Sequence, residues 1–132
     1  MIHAFRLHRG QDLCNELNAY ARSHSIAAAA VLSGVGCLTH IRLRDAGGVN
    51  IHAWEEDMEI VSLTGTVSLH GSHLHISLSR RDLSVLGGHL MPGCLVNTTA
   101  EIILLELPGL SFTREFDGET GYDELSIQAL QE

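Results

Sequence analysis

Basic residues are scarce in this chain. Eight arginines and no lysine stand against sixteen acidic residues, a formal net charge of −8 over 132 residues. Phosphate backbones are held by clustered Lys and Arg, so this balance argues against strong autonomous nucleic-acid binding. Arg42/Arg44 and Arg80/Arg81 make only small local patches. Cysteine occurs three times without any Cys-x-x-Cys. Cys14, Cys37 and Cys94 are odd in number and widely spaced, which points to reduced, buried small hydrophobes rather than disulfides or a zinc clip. No apolar run reaches the roughly 20 residues that span a bilayer. The start, Met1 to Arg6, lacks the basic-then-apolar order of a signal peptide, so the expectation is a cytoplasmic protein with no membrane partner.

What is present suits one compact domain over residues 1–132. The hydrophobic fraction is 45%, with 13 glycines and only two prolines, enough apolar material for a real core in a strand-rich protein. Ile2 to His8 alternates as a first strand, with Phe5 and Leu7 inward. Asp12 is a plausible N-cap for an amphipathic helix carrying Leu13, Leu17, Tyr20 and Ala21 on one face and ending near His24. Ile26 to Leu32 reads as a buried strand, Ser33-Gly34-Val35-Gly36 as a bulge or bend, and Cys37 to Arg44 as a strand with one wet, basic face. Gly47-Gly48 signals a hairpin turn before Val49 to Trp54. Glu55-Glu56-Asp57 reads as an acidic turn, and Met58 to Leu69 as a long strand broken by Gly65. Ala100 to Leu107 is apolar enough for a central strand buried on both faces. Phe112 to Phe116 and Asp123 to Ile127 close the chain. One helix followed by seven or more strands on short turns predicts an α+β fold, mainly antiparallel sheet with the N-terminal helix packed on it.

The chemistry-bearing stretch runs from His73 to His89. Alternate residues of a strand share a face, so His73 and His75 project together while Leu74, Ile76 and Leu78 face the core. The segment Arg80 to Ser84 can reverse the chain, and the return strand carries His89. A reversal near Asp82 places His75 opposite His89, with β-carbons about 5 Å apart; one near Arg81 pairs His73 with His89. Either register gathers three imidazoles, whereas a one-residue slip sends His89 to the far side. Three neutral imidazoles suit a borderline divalent metal such as zinc, nickel or iron, with a position left for water or substrate. A His-x-His pair also often just faces solvent, and the spacing leaves both readings open. Glu101 is a candidate metal ligand, outer partner orienting a histidine, or general base, and equally a rim residue in water. Cys94 is a lesser candidate ligand. A cupin also uses His-x-His, but Ser77 to Arg81 lacks its downstream Glu and Met91 to Asn97 lacks its second histidine.

Taken in order, several segments resemble the plants-and-prokaryotes conserved (PPC) domain across nearly the whole chain. They are Arg9 to Leu13, Ala29 to Gly36, Met58 to Thr66, His73-Leu74-His75, Gly87-Gly88-His89-Leu90 and Thr99-Ala100-Glu101. Plant AT-hook nuclear proteins carry this domain, and prokaryotes make it as a stand-alone protein. The resemblance implies an α+β homotrimer whose His-x-His and Gly-Gly-His histidines, His73, His75 and His89 here, form a zinc site. It also implies a DNA-binding, transcription-associated role, whereas the open position of a three-histidine metal site suits an enzymatic or ligand-sensing role with a small-molecule ligand. No AT-hook is present, and Asp82-Leu83 stands where the family often has Asp-Gly. A purely structural oligomerisation module is the third possibility.

Overall fold

A computed structural model describes residues 1–131. Strand β1 (Ile2–His8) turns His3 and Leu7 inward. The helix α1 (Leu13–Ser23) begins where Asp12 accepts a 3.0 Å bond from the Asn15 backbone N–H. The other Asp12 oxygen accepts from the Gly93 N–H at 2.7 Å, tying the helix start to a turn far along the chain. Leu13, Leu17 and Ala21 recur at helical spacing and are fully buried, the pattern of a helix lying on a sheet.

That sheet is antiparallel and six-stranded. Its members are β1, β2 (Ala29–Arg44), β3 (Ile51–Ser68), β4 (Gly71–Ser79), β5 (Val85–Leu90) and β6 (Leu95–Glu106). Their order is β1-β6-β2-β3-β4-β5, and the end of β2 also pairs with β5 through Leu43↔Leu90 and Arg44↔His89. The sheet therefore curls until its last strand meets its third. Strands β7 (Leu110–Asp117) and β8 (Tyr122–Ala129) form a separate two-stranded hairpin. The α+β class expected above is what the chain adopts, with the core gathered between helix and sheet: Leu17, Leu38, Ile41, Leu74, Leu78, Ile102 and Leu104.

Several expected breaks are absent. Ser33 to Gly36 does not end β2, but the expected bulge is there: register shifts at Val31/Ser33 and Gly36/Cys37 absorb the extra residues. At Gly36, with φ +154°, a β-carbon would overlap the Thr99 carbonyl of the neighbouring strand, so only glycine allows that approach. A further bulge at Leu38/His40 shifts the alternation, which is how Leu38 and Ile41 both face inward. Glu55-Glu56-Asp57 is not a turn but the middle of β3. Its carboxylates meet His40 (3.8 Å), Arg80 (2.6 Å) and Asn97 (3.1 Å). Strand β6 is central by position, yet only one face is buried: Glu101 and Leu105 point outward.

His3 joins three elements. Its Nε2 lies 2.9 Å from the Glu106 carboxylate and its Nδ1 3.0 Å from the Tyr20 hydroxyl. A carboxylate only accepts, so Nε2 donates to Glu106 and Nδ1 accepts from Tyr20.

Candidate metal centre

The β4–β5 turn decides the register. Asp82 Oδ1 accepts from the Ser84 N–H at 3.0 Å and its hydroxyl at 2.6 Å, and the Leu83 N–H donates to Arg80 O at 2.9 Å. Leu83 takes φ +70°, the left-handed conformation that a glycine in the family's Asp-Gly would adopt without strain. The reversal thus centres on Asp82, and His75 pairs directly with His89. His73 and His75 face outward from β4 while Leu74, Ile76 and Leu78 are buried beneath them.

Gly87 and Gly88 do more than leave room. A β-carbon on Gly87 would sit 2.5 Å from Ile76 O, and one on Gly88 2.9 Å from Arg44 O. Their absence of side chains lets β5 nest between β4 and the end of β2, which carries His89 to the cluster. Ring centroids of His73, His75 and His89 are 5.0, 5.1 and 5.6 Å apart, and one nitrogen from each lies within 4.8 Å of the others.

A model of the Plants and Prokaryotes Conserved (PCC) domain matches residues 1–108. The chain belongs to that family. A hypothetical protein from Salmonella enterica has a solved structure with TM-score 0.95 at 39% identity, covering 99% of this chain and 95% of that one. The metal-containing protein from Archaeoglobus fulgidus has TM-score 0.76 at 28% identity, covering 99% and 94%. Among curated relatives, the bifunctional protein GlmU of Synechococcus sp. (strain JA-2-3B'a(2-13)) is 44% identical over 127 residues. This chain spans only about a fifth of that relative: the match covers 96% of this chain and 20% of the longer protein.

The electrostatics of this PCC domain suit a metal. Burial, and then the Arg44 charge, lower the His89 pKa from 6.5 to about 4. Burial, and then His75 and Arg114, lower that of His73 as well. Both rings are therefore neutral at neutral pH, the form that ligates metal without displacing a proton. Among the described residues, none of the three imidazoles has a protein hydrogen-bond partner within reach, and the buried His89 Nδ1 is one of the few orphaned polar atoms. A divalent ion bound by imidazole nitrogens fits that donor set.

A pH dependence follows. Unfolded His89 takes up its proton near 6.5, whereas the folded group resists until about 4. Between those values the unfolded state binds more protons, so the metal-free protein loses stability as pH falls. His89→Gln is expected to flatten the thermal midpoint against pH in that interval; a slope identical to wild type would contradict the assignment.

Two other candidates lie apart from the cluster. Glu101 is exposed on β6, opposite Arg6 and Val35 and three strands from β4, and makes no hydrogen bond to the histidines. Within one chain nothing places it as the partner that orients an imidazole. Cys94 is buried, and its thiol donates to Arg42 O at 3.3 Å. Burial raises its pKa to about 11, so it is a packed hydrophobe and no thiolate ligand.

The sequence reading missed Arg44 as a site residue, and Arg114 and Tyr122 altogether. Arg44 and Tyr122 border, with His75, Gly88 and His89, an open cleft of about 720 Å³. The Arg44 guanidinium lies 5.8 Å from the Tyr122 ring centroid. Arg44 was visible only as part of a small basic patch; its pairing with β5 joins residues far apart in sequence.

Proposed function

We propose that this PCC-domain protein binds a divalent metal ion, zinc, through His73, His75 and His89, as a cytoplasmic homotrimer with a small-molecule ligand at the open position. The observation that carries the reading is the convergence of three imidazoles, two of them held neutral, with no other partner to satisfy. The related protein described as metal-containing supports it. When bound, such an ion lowers the pKa of its water towards neutrality, and that is the chemistry it supplies for sensing or transforming a ligand. Metal analysis of purified protein and of its His89→Ala variant tests the site.

The trimer rests on an apolar outer face. Leu32, Val35 and Val61 are 58%, 54% and 57% exposed on adjoining strands β2 and β3, and Ile2 and Leu105 pair across β1 and β6 on the same side. Exposed apolar side chains gathered on one face of a sheet mark an interaction surface. Val61→Glu is expected to lower the solution mass below three chains while leaving the metal content intact; an unchanged mass would remove this face from the interface.

Among the described residues, no helix is long and apolar enough to cross a membrane. The net charge of −8 weighs against the DNA-binding alternative. A shift assay on duplex DNA at low salt is expected to show no complex, and a salt-sensitive complex would restore that alternative.

A further inference from the structure

We propose that the ligand taken beside the three histidines is a small oxyanion, a carboxylate or phosphate, whose oxygens are held by Arg44 and Arg114; the inference rests on the metal reading above. Arg44 stands opposite His89 on the β2–β5 pair, and His89 opposite His75 on the β4–β5 pair. Residues directly opposed on antiparallel strands share a face, so one guanidinium and two imidazoles form a continuous row. From β7, Arg114 lines with Arg44, His73 and His89 a second recess of about 270 Å³ next to the main cleft. Two cations from separate sheets thus flank the histidine cluster on a chain with only eight basic residues.

Neither cation is spent on a protein partner. Among the described residues, the ion pairs engage His3, His40, His52 and Arg80, not Arg44 or Arg114. The Nε of Arg44 is buried with no acceptor, a costly state for a charged donor that an anion oxygen in the recess would relieve. The Tyr122 ring lies 5.8 Å from the guanidinium carbon, within reach of a cation–π contact, and the planar guanidinium fork matches the two oxygens of a carboxylate or phosphate. The acidic neighbours limit what enters. Asp45 is occupied by His52 at 2.8 Å and the Gly47 N–H at 2.9 Å, while Asp123 and Glu124 border the Arg114 side. They would repel a long polyanion such as a nucleic-acid strand and leave room for a single small one.

The test uses full-length protein loaded with cobalt(II), titrated separately with inorganic phosphate and with acetate while the visible spectrum and metal content are recorded. We expect a saturable spectral change, with the tighter of the two probes identifying the ligand class. Arg44→Met and Arg114→Met should each weaken it at least about tenfold without loss of cobalt. No saturable change with either anion, or affinities unchanged in both variants, overturns the proposal. If the wild-type protein retains no cobalt, the metal reading fails separately. The metal-free protein titrated with phosphate by calorimetry then decides: arginine-dependent binding sustains the anion site, and its absence overturns it.

Discussion

His89→Ala is expected to abolish metal retention while leaving the fold in place. Wild-type protein passed through a desalting step should hold one divalent ion per chain, and the variant close to none, when both are read by elemental analysis. Removing a partner that merely orients a ligand typically weakens metal binding about 10- to 100-fold. Loss of one of three ligands should exceed that, leaving two imidazoles on an exposed strand face. The variant should still fold, because His89 is half-buried on the outer side of β5 and the strand is anchored by Leu90 and by pairing to both neighbours. Circular dichroism that matches wild type would establish this. Equal metal content in the two proteins would remove the three-histidine centre and the functional reading with it.

The parts of this centre legible beforehand are those that depend on short-range geometry. His73 and His75 share a face because strands alternate, and His89 returns to them through a turn of a few residues. Of the two registers left open by spacing, the one centred on Asp82 is selected by bonds the sequence does not advertise, from Ser84 to the Asp82 carboxylate. What was not legible is non-local. The pairing of Arg44 with His89 needs the sheet to curl until β2 meets β5, and no window of sequence contains both strands. The same limit explains Glu55 to Asp57. Three acids in a row suggest a solvated turn, but each is met by a side chain from outside β3, His40, Arg80 or Asn97, so the strand continues through them. At Gly34 and Gly36 the bulge is legible in the sequence, but the continuity of the strand through them is not. A glycine required by the close approach of another strand looks, in sequence, like a glycine required by a bend.

Gly65→Ala should be among the most damaging single-methyl changes available, and the damage should reach the metal. Gly65 lies in β3 opposite Leu74, with φ +142°, and an added β-carbon would overlap the carbonyl of His73. The obstacle is backbone, so no rotamer change relieves it. Strands β3 and β4 must separate locally, weakening the ladder that fixes His73 and His75 between Thr66, Thr64 and the hairpin. Left-handed strain and overpacking together should cost roughly 3 kcal/mol. For a domain of this size that is a fall of about 10 °C in thermal midpoint. Gly10→Ala provides the comparison. Its φ is +88°, but no atom lies within 4 Å of the new β-carbon, so it carries the backbone term alone, about 1 kcal/mol. Thermal denaturation of both variants, with metal content measured on each, separates the two contributions. Gly65→Ala should be markedly the less stable and should hold metal poorly, while Gly10→Ala keeps its ion. If the two are equally stable, the close packing of β3 on the His73 carbonyl is not what holds the histidine strand in place.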